Sequence, residues 1–66
     1  MKNTIKVERA KLNITQTELA EAVNVSKQTI HSIETGRFVP STIIAMKIAA
    51  YFKTTIESIF ELEVGD

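Results

Sequence analysis

Four hydroxyl residues, each followed by apolar residues at helical spacing, are the feature that most constrains this sequence. A Ser or Thr side chain at such a position can accept a hydrogen bond from a backbone N–H of the first helical turn. The pattern Thr15-x-x-Glu18 further predicts a capping box, in which the two residues each satisfy the other's backbone N–H. The predicted helix starts therefore follow Thr15, Ser26, Ser41 and Thr55.

The apolar spacing predicts an all-α fold with five helices in a single domain that fills residues 1–66. The fourth helix is the most apolar and is predicted to be the central helix of the core. Gly36 and Pro40 separate it from the third helix, because Gly closes a helix easily and Pro forbids its continuation. The predicted helices are about 5–12, 16–23, 27–34, 42–52 and 56–60, with a core that includes Leu19, Val23, Ile30, Ile33, Ile48 and Phe52.

The two ends of the chain are expected to meet in a small sheet. Residues 61–64, Glu-Leu-Glu-Val, alternate strictly between polar and apolar, which is a strand pattern too short to stand alone. The other non-helical end, around residues 2–4, offers a partner. We therefore expect a two-stranded pairing of the N- and C-terminal ends.

The composition excludes several classes of function. The 66 residues contain no Cys and one His, so a disulfide framework, a Cys/His zinc site and a cysteine nucleophile are excluded. We expect that the protein is not an enzyme and that it binds neither a metal nor another cofactor. No apolar run suits a membrane span and no signal segment is recognisable, which favours a cytoplasmic protein. A chain this short buries a limited core, so dimerisation is expected.

Zero net charge conceals an asymmetry along the chain. Residues 1–53 hold all eight Lys and Arg with four acidic residues, whereas residues 54–66 hold four acidic residues and no basic one. A positive face and a separate acidic end are therefore possible in one neutral molecule. An acidic end that is merely solvated is the equally weighted alternative.

The third predicted helix has an outer face made only of hydrogen-bonding side chains. Its apolar residues, Ile30 and Ile33, point inward with those of the second helix, and the Asn24-Val25 pair makes the turn between the two. A major groove accepts a helix of this kind, and each outward side chain can meet a base edge or a phosphate. These outward residues are Lys27, Gln28, His31 and Ser32.

The joint between these helices resembles the lambda-repressor/Cro-type helix-turn-helix regulators, also called xenobiotic-response-element-like, in their short stand-alone bacterial form. The resemblance covers about residues 5–60, with the motif itself at about 16–35. Asn24 replaces the glycine that often stands at the elbow, and Asn tolerates a positive φ better than most residues. The matching pieces are Gln16-x-x-Leu19-Ala20, Val25-Ser26-x-Gln28-Thr29-Ile30, Ile33-Glu34-x-Gly36-Arg37 and Pro40-Ser41.

The resemblance implies a double-stranded DNA ligand and assigns roles to individual positions. Lys27, Gln28, His31 and Ser32 are implied to contact bases, with Gln28 best suited to adenine. The Arg9 and Glu34 positions are implied to form an ion pair that braces the first helix against the third. Ser41 is a further phosphate candidate, although helix capping also explains it. The implied phosphate contacts are Gln16, Ser26, Thr29, Thr35, Arg37 and Arg9.

The implied function is a transcriptional regulator, expected to be a repressor that binds a palindromic operator as a homodimer, without a small-molecule effector. It would be associated with the nucleoid when bound. Residues 56–66 are the expected dimerisation segment, although their apolar residues also suit the core of one chain; Phe38 is either a loop anchor or a further dimer contact. The alternative function is an antitoxin or interaction module that captures a partner protein through the C-terminal segment. The predicted dimer contacts are Tyr51, Ile56, Ile59, Phe60, Leu62 and Val64.

Overall fold

The computed structural model describes residues 1–66 and confirms the five helices and the small sheet. None of the helices is long and apolar enough to span a membrane. The elements in chain order are β1 (Lys2–Asn3), α1 (Ile5–Leu12), α2 (Gln16–Val23), α3 (Lys27–Glu34), α4 (Thr42–Tyr51), α5 (Ile56–Ile59) and β2 (Phe60–Glu61).

All four predicted N-caps are present. The hydroxyl oxygen of Thr15 accepts from the N–H of Glu18 at 3.0 Å, and the Glu18 carboxylate accepts from the N–H of Thr15 at 2.9 Å, which completes the capping box. The side chains of the other three caps each accept one backbone N–H of the following helix. These bonds satisfy backbone donors that the first turn of a helix leaves unpaired.

One core is formed by apolar residues from every helix and from β2. Five large side chains have almost no exposed surface, so they fix how the helices pack. Partly buried residues surround them, among them Val25 at the turn and Phe52 after α4. The five are Ile5, Leu19, Ile30, Ile33 and Ile48.

The terminal sheet is present, but its second strand is shorter than predicted and begins one residue earlier. β1 pairs antiparallel with β2, with Lys2 opposite Glu61 and Asn3 opposite Phe60. The alternating residues 62–64 lie outside it, and Leu62 and Val64 are exposed. Phe60, expected at the end of the fifth helix, is extended and buried, because its ring completes the core from the strand.

The fourth helix contributes to the core with one side only. Ala45, Ile48 and Ala49 form its buried side, while Ile43 is 67% exposed and Met46 is 56% exposed. Its apolar residues surround the helix axis, so a single chain covers only one side of it. An apolar surface therefore remains open to solvent on α4.

Candidate nucleic-acid interface

The turn between α2 and α3 is held by a left-handed Asn24. This residue has φ 60° and ψ 49°, the conformation that Asn tolerates better than most side chains. The N–H of Val25 donates to the carbonyl of Ala20 at 2.9 Å, and the Val25 side chain packs against the core. The turn expected from Asn24-Val25 is confirmed, and it fixes the direction in which α3 leaves α2.

The two faces of α3 have opposite chemistry. Ile30 and Ile33 are fully buried against the core, and the N-cap of Ser26 and the C-cap of Thr35 bound the helix at the predicted residues. On the other face, Lys27, Gln28 and His31 are exposed and Ser32 is half-buried. No side chain among these four forms a hydrogen bond or an ion pair within the chain, so all four are available to a ligand. They share the outer face of one helix, as the sequence predicted.

A partly buried ion pair braces α3 against α1. The Nε of Arg9 donates to Glu34 Oε2 at 2.7 Å and its Nη2 donates to Oε1 at 3.0 Å, while Nη1 donates to the carbonyl of Ile14 at 3.1 Å. The two side chains are only 14% and 7% exposed, and hydrogen bonding to Glu34 raises the pKa of Arg9. The ion pair that the resemblance implied is present, and it locks the C-terminal turn of α3 in place.

Gln16 belongs to the same network. Its Nε2 donates to Glu34 Oε1 at 3.2 Å, so Glu34 accepts from two helices at once. An amide has two N–H donors, so Gln16 keeps one for another acceptor. The Gln16–Glu34 bond was not predicted, since no local pattern connects residues so far apart in the chain.

Hydroxyl groups line both ends of α3. The Ser26 oxygen accepts from the N–H of Thr29 at 3.0 Å, and the two hydroxyls lie 2.9 Å apart. The hydroxyl of Thr35 donates to the carbonyl of His31 at 3.0 Å. Thr35 is exposed, but its donor is committed to its own helix, whereas exposed Arg37 beyond it forms no ion pair. Ser41 accepts from the N–H of Ile44 at 3.2 Å, which is its capping role.

A family model described as helix-turn-helix matches residues 5–59, which include the turn and both helices just described. The chain belongs to the Cro/C1-type helix-turn-helix family. Three relatives show the same family over nearly the whole chain, and each is named as an uncharacterised HTH-type transcriptional regulator. One from Methanocaldococcus jannaschii is 49% identical over 63 residues, covering 96% of both chains. One from Bacillus subtilis is 43% identical over the same share. One from Archaeoglobus fulgidus is 48% identical over 60 residues, covering 91% of this chain and 84% of its own.

Membership in the helix-turn-helix family confirms the resemblance and the fold. The relatives come from archaea as well as from a bacterium, so the short form expected to be bacterial is not confined to bacteria. The family match covers residues 5–59, so both strands of the small sheet and residues 60–66 lie outside it.

The predicted dimer residues divide into three groups by their exposure. Ile59 and Phe60 are 2% and 7% exposed, so they belong to the core of one chain and have almost no surface for a partner. Ile56 is partly buried against the same core. Tyr51, Leu62 and Val64 are exposed. The exposed apolar residues of α4 are further candidates for a dimer surface that the predicted set does not contain. No signal in the sequence separates them from the buried apolar residues of the same helix.

The acidic end is not separate from the rest of the molecule. The amino group of Met1 lies 3.2 Å from Glu63 Oε1 and 3.2 Å from Asp66 Oδ1. Asp66 also accepts from the N–H of Glu63 at 2.7 Å, which closes a turn. Met1 in turn lies beside Gly36, the loop residue that follows α3. Two of the four terminal acids therefore hold the N-terminus, and Glu57 and Glu61 have no ion-pair partner.

The sequence pattern predicts the strand around Asn3 but not the bonds of the Asn3 side chain. Its Nδ2 donates to the carbonyl of Ile33 at 2.8 Å, and its Oδ1 accepts from the N–H of Ile5 at 3.2 Å. It thus joins β1 to the last turn of α3. The available signal was local: Asn often bonds to the backbone two residues further on, at the start of a helix.

Proposed function

We propose that this protein is a sequence-specific, double-stranded-DNA-binding transcriptional regulator, a repressor that binds a palindromic operator as a homodimer. The observation that carries the proposal is the outer face of α3, where Lys27, Gln28, His31 and Ser32 are polar, unpaired and together on one face. The relatives are named as transcriptional regulators, which is consistent with this role. Occupying an operator and excluding polymerase would then be the mechanism.

The chemistry of this face suits base recognition. The major groove of B-DNA is wide enough for a helix and presents a different donor and acceptor pattern for each base pair. Gln28 has the paired donor and acceptor that bind N6 and N7 of adenine, and Lys27 can donate to the acceptors of guanine. His31 and Ser32, on the next turn, can extend the contact along the groove. The rigid inner face of α3 would hold these side chains in register.

Phosphate contacts would flank the base readers. Arg37 is exposed and unpaired, and the hydroxyls of Ser26 and Thr29 lie at the N-terminus of α3, where the helix dipole favours anions. Gln16 retains one free donor. Arg9 has three of its five N–H groups engaged, so its main contribution is to position α3, with any phosphate contact made by the remaining two. Thr35 would need to turn its hydroxyl away from His31.

The homodimer is supported by apolar surface that one chain leaves open. Ile43 and Met46 lie one turn apart on the outer side of α4, with Tyr51 exposed near its end. Exposed patches of this kind commonly mark an interface. A twofold dimer would present two α3 helices about 34 Å apart, one turn of DNA, which matches a palindromic operator.

A protein-interaction module, such as an antitoxin, is the second candidate. The exposed Leu62 and Val64, beyond the sheet, are the observation that favours it. Removing residues 62–66 leaves the strand Phe60–Glu61 intact. The shortened chain should keep its DNA affinity under the first proposal, and should lose a protein partner co-purified from native extract under the second.

The test is selection of bound sequences from a randomised duplex pool at near-physiological salt, followed by the salt dependence of binding. Enrichment of a palindrome with half-sites about 10 base pairs apart is expected. The slope of affinity against salt should be shallow, because few cations flank α3 and the net charge is zero. Equal, weak binding to every duplex would exclude sequence-specific recognition by this chain.

A further inference from the structure

A groove of about 350 Å³ lies between α3 and the loop that follows it. One wall belongs to α3 and the other to the loop, and Phe38 is its single apolar lining residue. Phe38 is 46% exposed, so its ring is open to a ligand that enters the groove. The lining residues are Ser26, Gln28, Thr29, Ser32, Arg37 and Phe38.

The backbone holds this loop against the outer turn of α3. The N–H groups of Arg37 and Phe38 both donate to the carbonyl of Ser32, at 2.9 Å and 3.2 Å. Gly36 makes the reversal possible with φ +77°, a conformation that side chains rarely adopt. The ring of Phe38 is thus held at the side of the helix that carries Gln28 and Ser32.

The charge and chemistry of the groove indicate its occupant. It contains one cation, Arg37, and no acidic residue, so it suits a polyanion. Gln28 and Ser32 supply hydrogen bonds, and Phe38 supplies an apolar surface beside them. In the major groove the only apolar group on a standard base is the 5-methyl of thymine. Thymine, which has both a hydrogen-bonding edge and a methyl group in the major groove, matches this combination.

We propose that Phe38 is a specificity-determining residue that packs against the methyl group of a thymine next to the base bound by Gln28. This inference rests on the proposed DNA-binding function and adds a contact from outside α3. It also predicts that the loop, and not only the helix, selects the operator sequence.

The test replaces the thymines of the selected duplex by deoxyuridine, one position at a time. This change removes a methyl group and leaves every hydrogen-bonding group in place. We expect one thymine in each half-site at which the wild-type protein loses about fourfold in affinity, the value of one buried methylene-sized group. Phe38→Ala should bind the thymine and uracil duplexes equally at that position, and Phe38→Leu should retain part of the difference.

Val39→Ala is the matched control, because Val39 is the neighbouring exposed apolar residue, 54% exposed, and does not line the groove. Val39→Ala should keep the wild-type ratio of affinities for the thymine and uracil duplexes. The proposal is overturned if no thymine is sensitive, or if Phe38→Ala and Phe38→Leu keep the full thymine preference. Absence of any selected sequence would instead refute the proposed function, so the two failures are distinguishable.

Discussion

Helices α3 and α4 are close in length and adjacent in sequence, yet they leave opposite surfaces exposed. The outer face of α3 is polar and unpaired, whereas the outer face of α4 carries Ile43 and Met46. A polar face with cations beside it suits a polyanion, and an apolar face suits another protein surface. The central claim of the proposed function is that these two helices divide the tasks, with α3 recognising DNA and α4 forming the homodimer.

The largest expected effect concerns the inner face of α3. Ile30→Ala should lower the free energy of unfolding by about 4 kcal/mol, because Ile30 is fully buried and its removal leaves a cavity. That loss approaches the whole stability of a small domain, so Ile30→Val, expected to cost about 1 kcal/mol, should be measured beside it. Urea denaturation followed by circular dichroism gives both values. A cost below about 1 kcal/mol for Ile30→Ala would contradict the claim that the inner face of α3 is tightly packed in the core.

The second effect concerns the brace between α1 and α3. Glu34→Ala should cost about 3 kcal/mol, since it leaves the Arg9 guanidinium partly buried without its carboxylate. The matched control is Glu8→Ala, which breaks the exposed pair with Lys11 and should cost less than about 1 kcal/mol. Similar costs for the two variants, from the same denaturation measurement, would show that burial of the Arg9 pair has no energetic consequence.

The third effect concerns the outer face of α4. Met46→Glu should raise the dissociation constant of the homodimer more than tenfold, because it places an unpaired charge in an apolar contact. The stability of the monomer should change by only about 0.5 kcal/mol, since Met46 is exposed there. Sedimentation equilibrium over a range of concentrations measures the first quantity. Leu62→Glu is the comparison: if it dissociates the dimer and Met46→Glu does not, the interface lies at the C-terminal end.

The smallest effect concerns the contact between Met1 and the acidic end. Hydrogen bonds to Glu63 and then Asp66 raise the pKa of the Met1 amino group, and the hydrogen bond from the N–H of Glu63 lowers the pKa of Asp66. The raised pKa gives stability that is complete below about pH 8 and lost as the pH rises through the folded value. The lowered pKa gives stability present above about pH 4 and lost as the pH falls through the folded value.

Asp66→Asn should therefore lower Tm slightly at pH 7 and have less effect above pH 10. The control is Glu57→Gln, which removes an exposed carboxylate that forms no ion pair and should leave Tm unchanged at both pH values. An effect of Asp66→Asn that is equal at both pH values would mean that the Met1 amino group contributes nothing.

The same two helices show what sequence could and could not predict. The ends of α3 follow from Ser26 and from the change to Thr35-Gly36, and its buried face follows from the spacing of Ile30 and Ile33 among polar residues. α4 lacks that contrast: apolar residues occupy all its sides, so periodicity gives its extent but not its buried face.

Contacts between distant residues set the remaining limit. The pairing of Asn3 with Phe60 starts the second strand one residue earlier than the alternation of residues 61–64 suggested, because Phe60 is needed in the core. The bond from Gln16 to Glu34 and the fold of Asp66 onto Met1 likewise depend on tertiary structure. The base-contacting and phosphate-contacting roles remain predictions.

The most direct test of the central claim compares Gln28→Ala with Arg37→Ala on the selected duplex and on a scrambled one. Gln28→Ala is expected to cost about 1 to 3 kcal/mol on the selected duplex alone and to relax one base position. Arg37→Ala is expected to weaken binding to both duplexes equally and to reduce the salt slope by about 1. Equal losses on both duplexes for Gln28→Ala would contradict base reading by the outer face of α3.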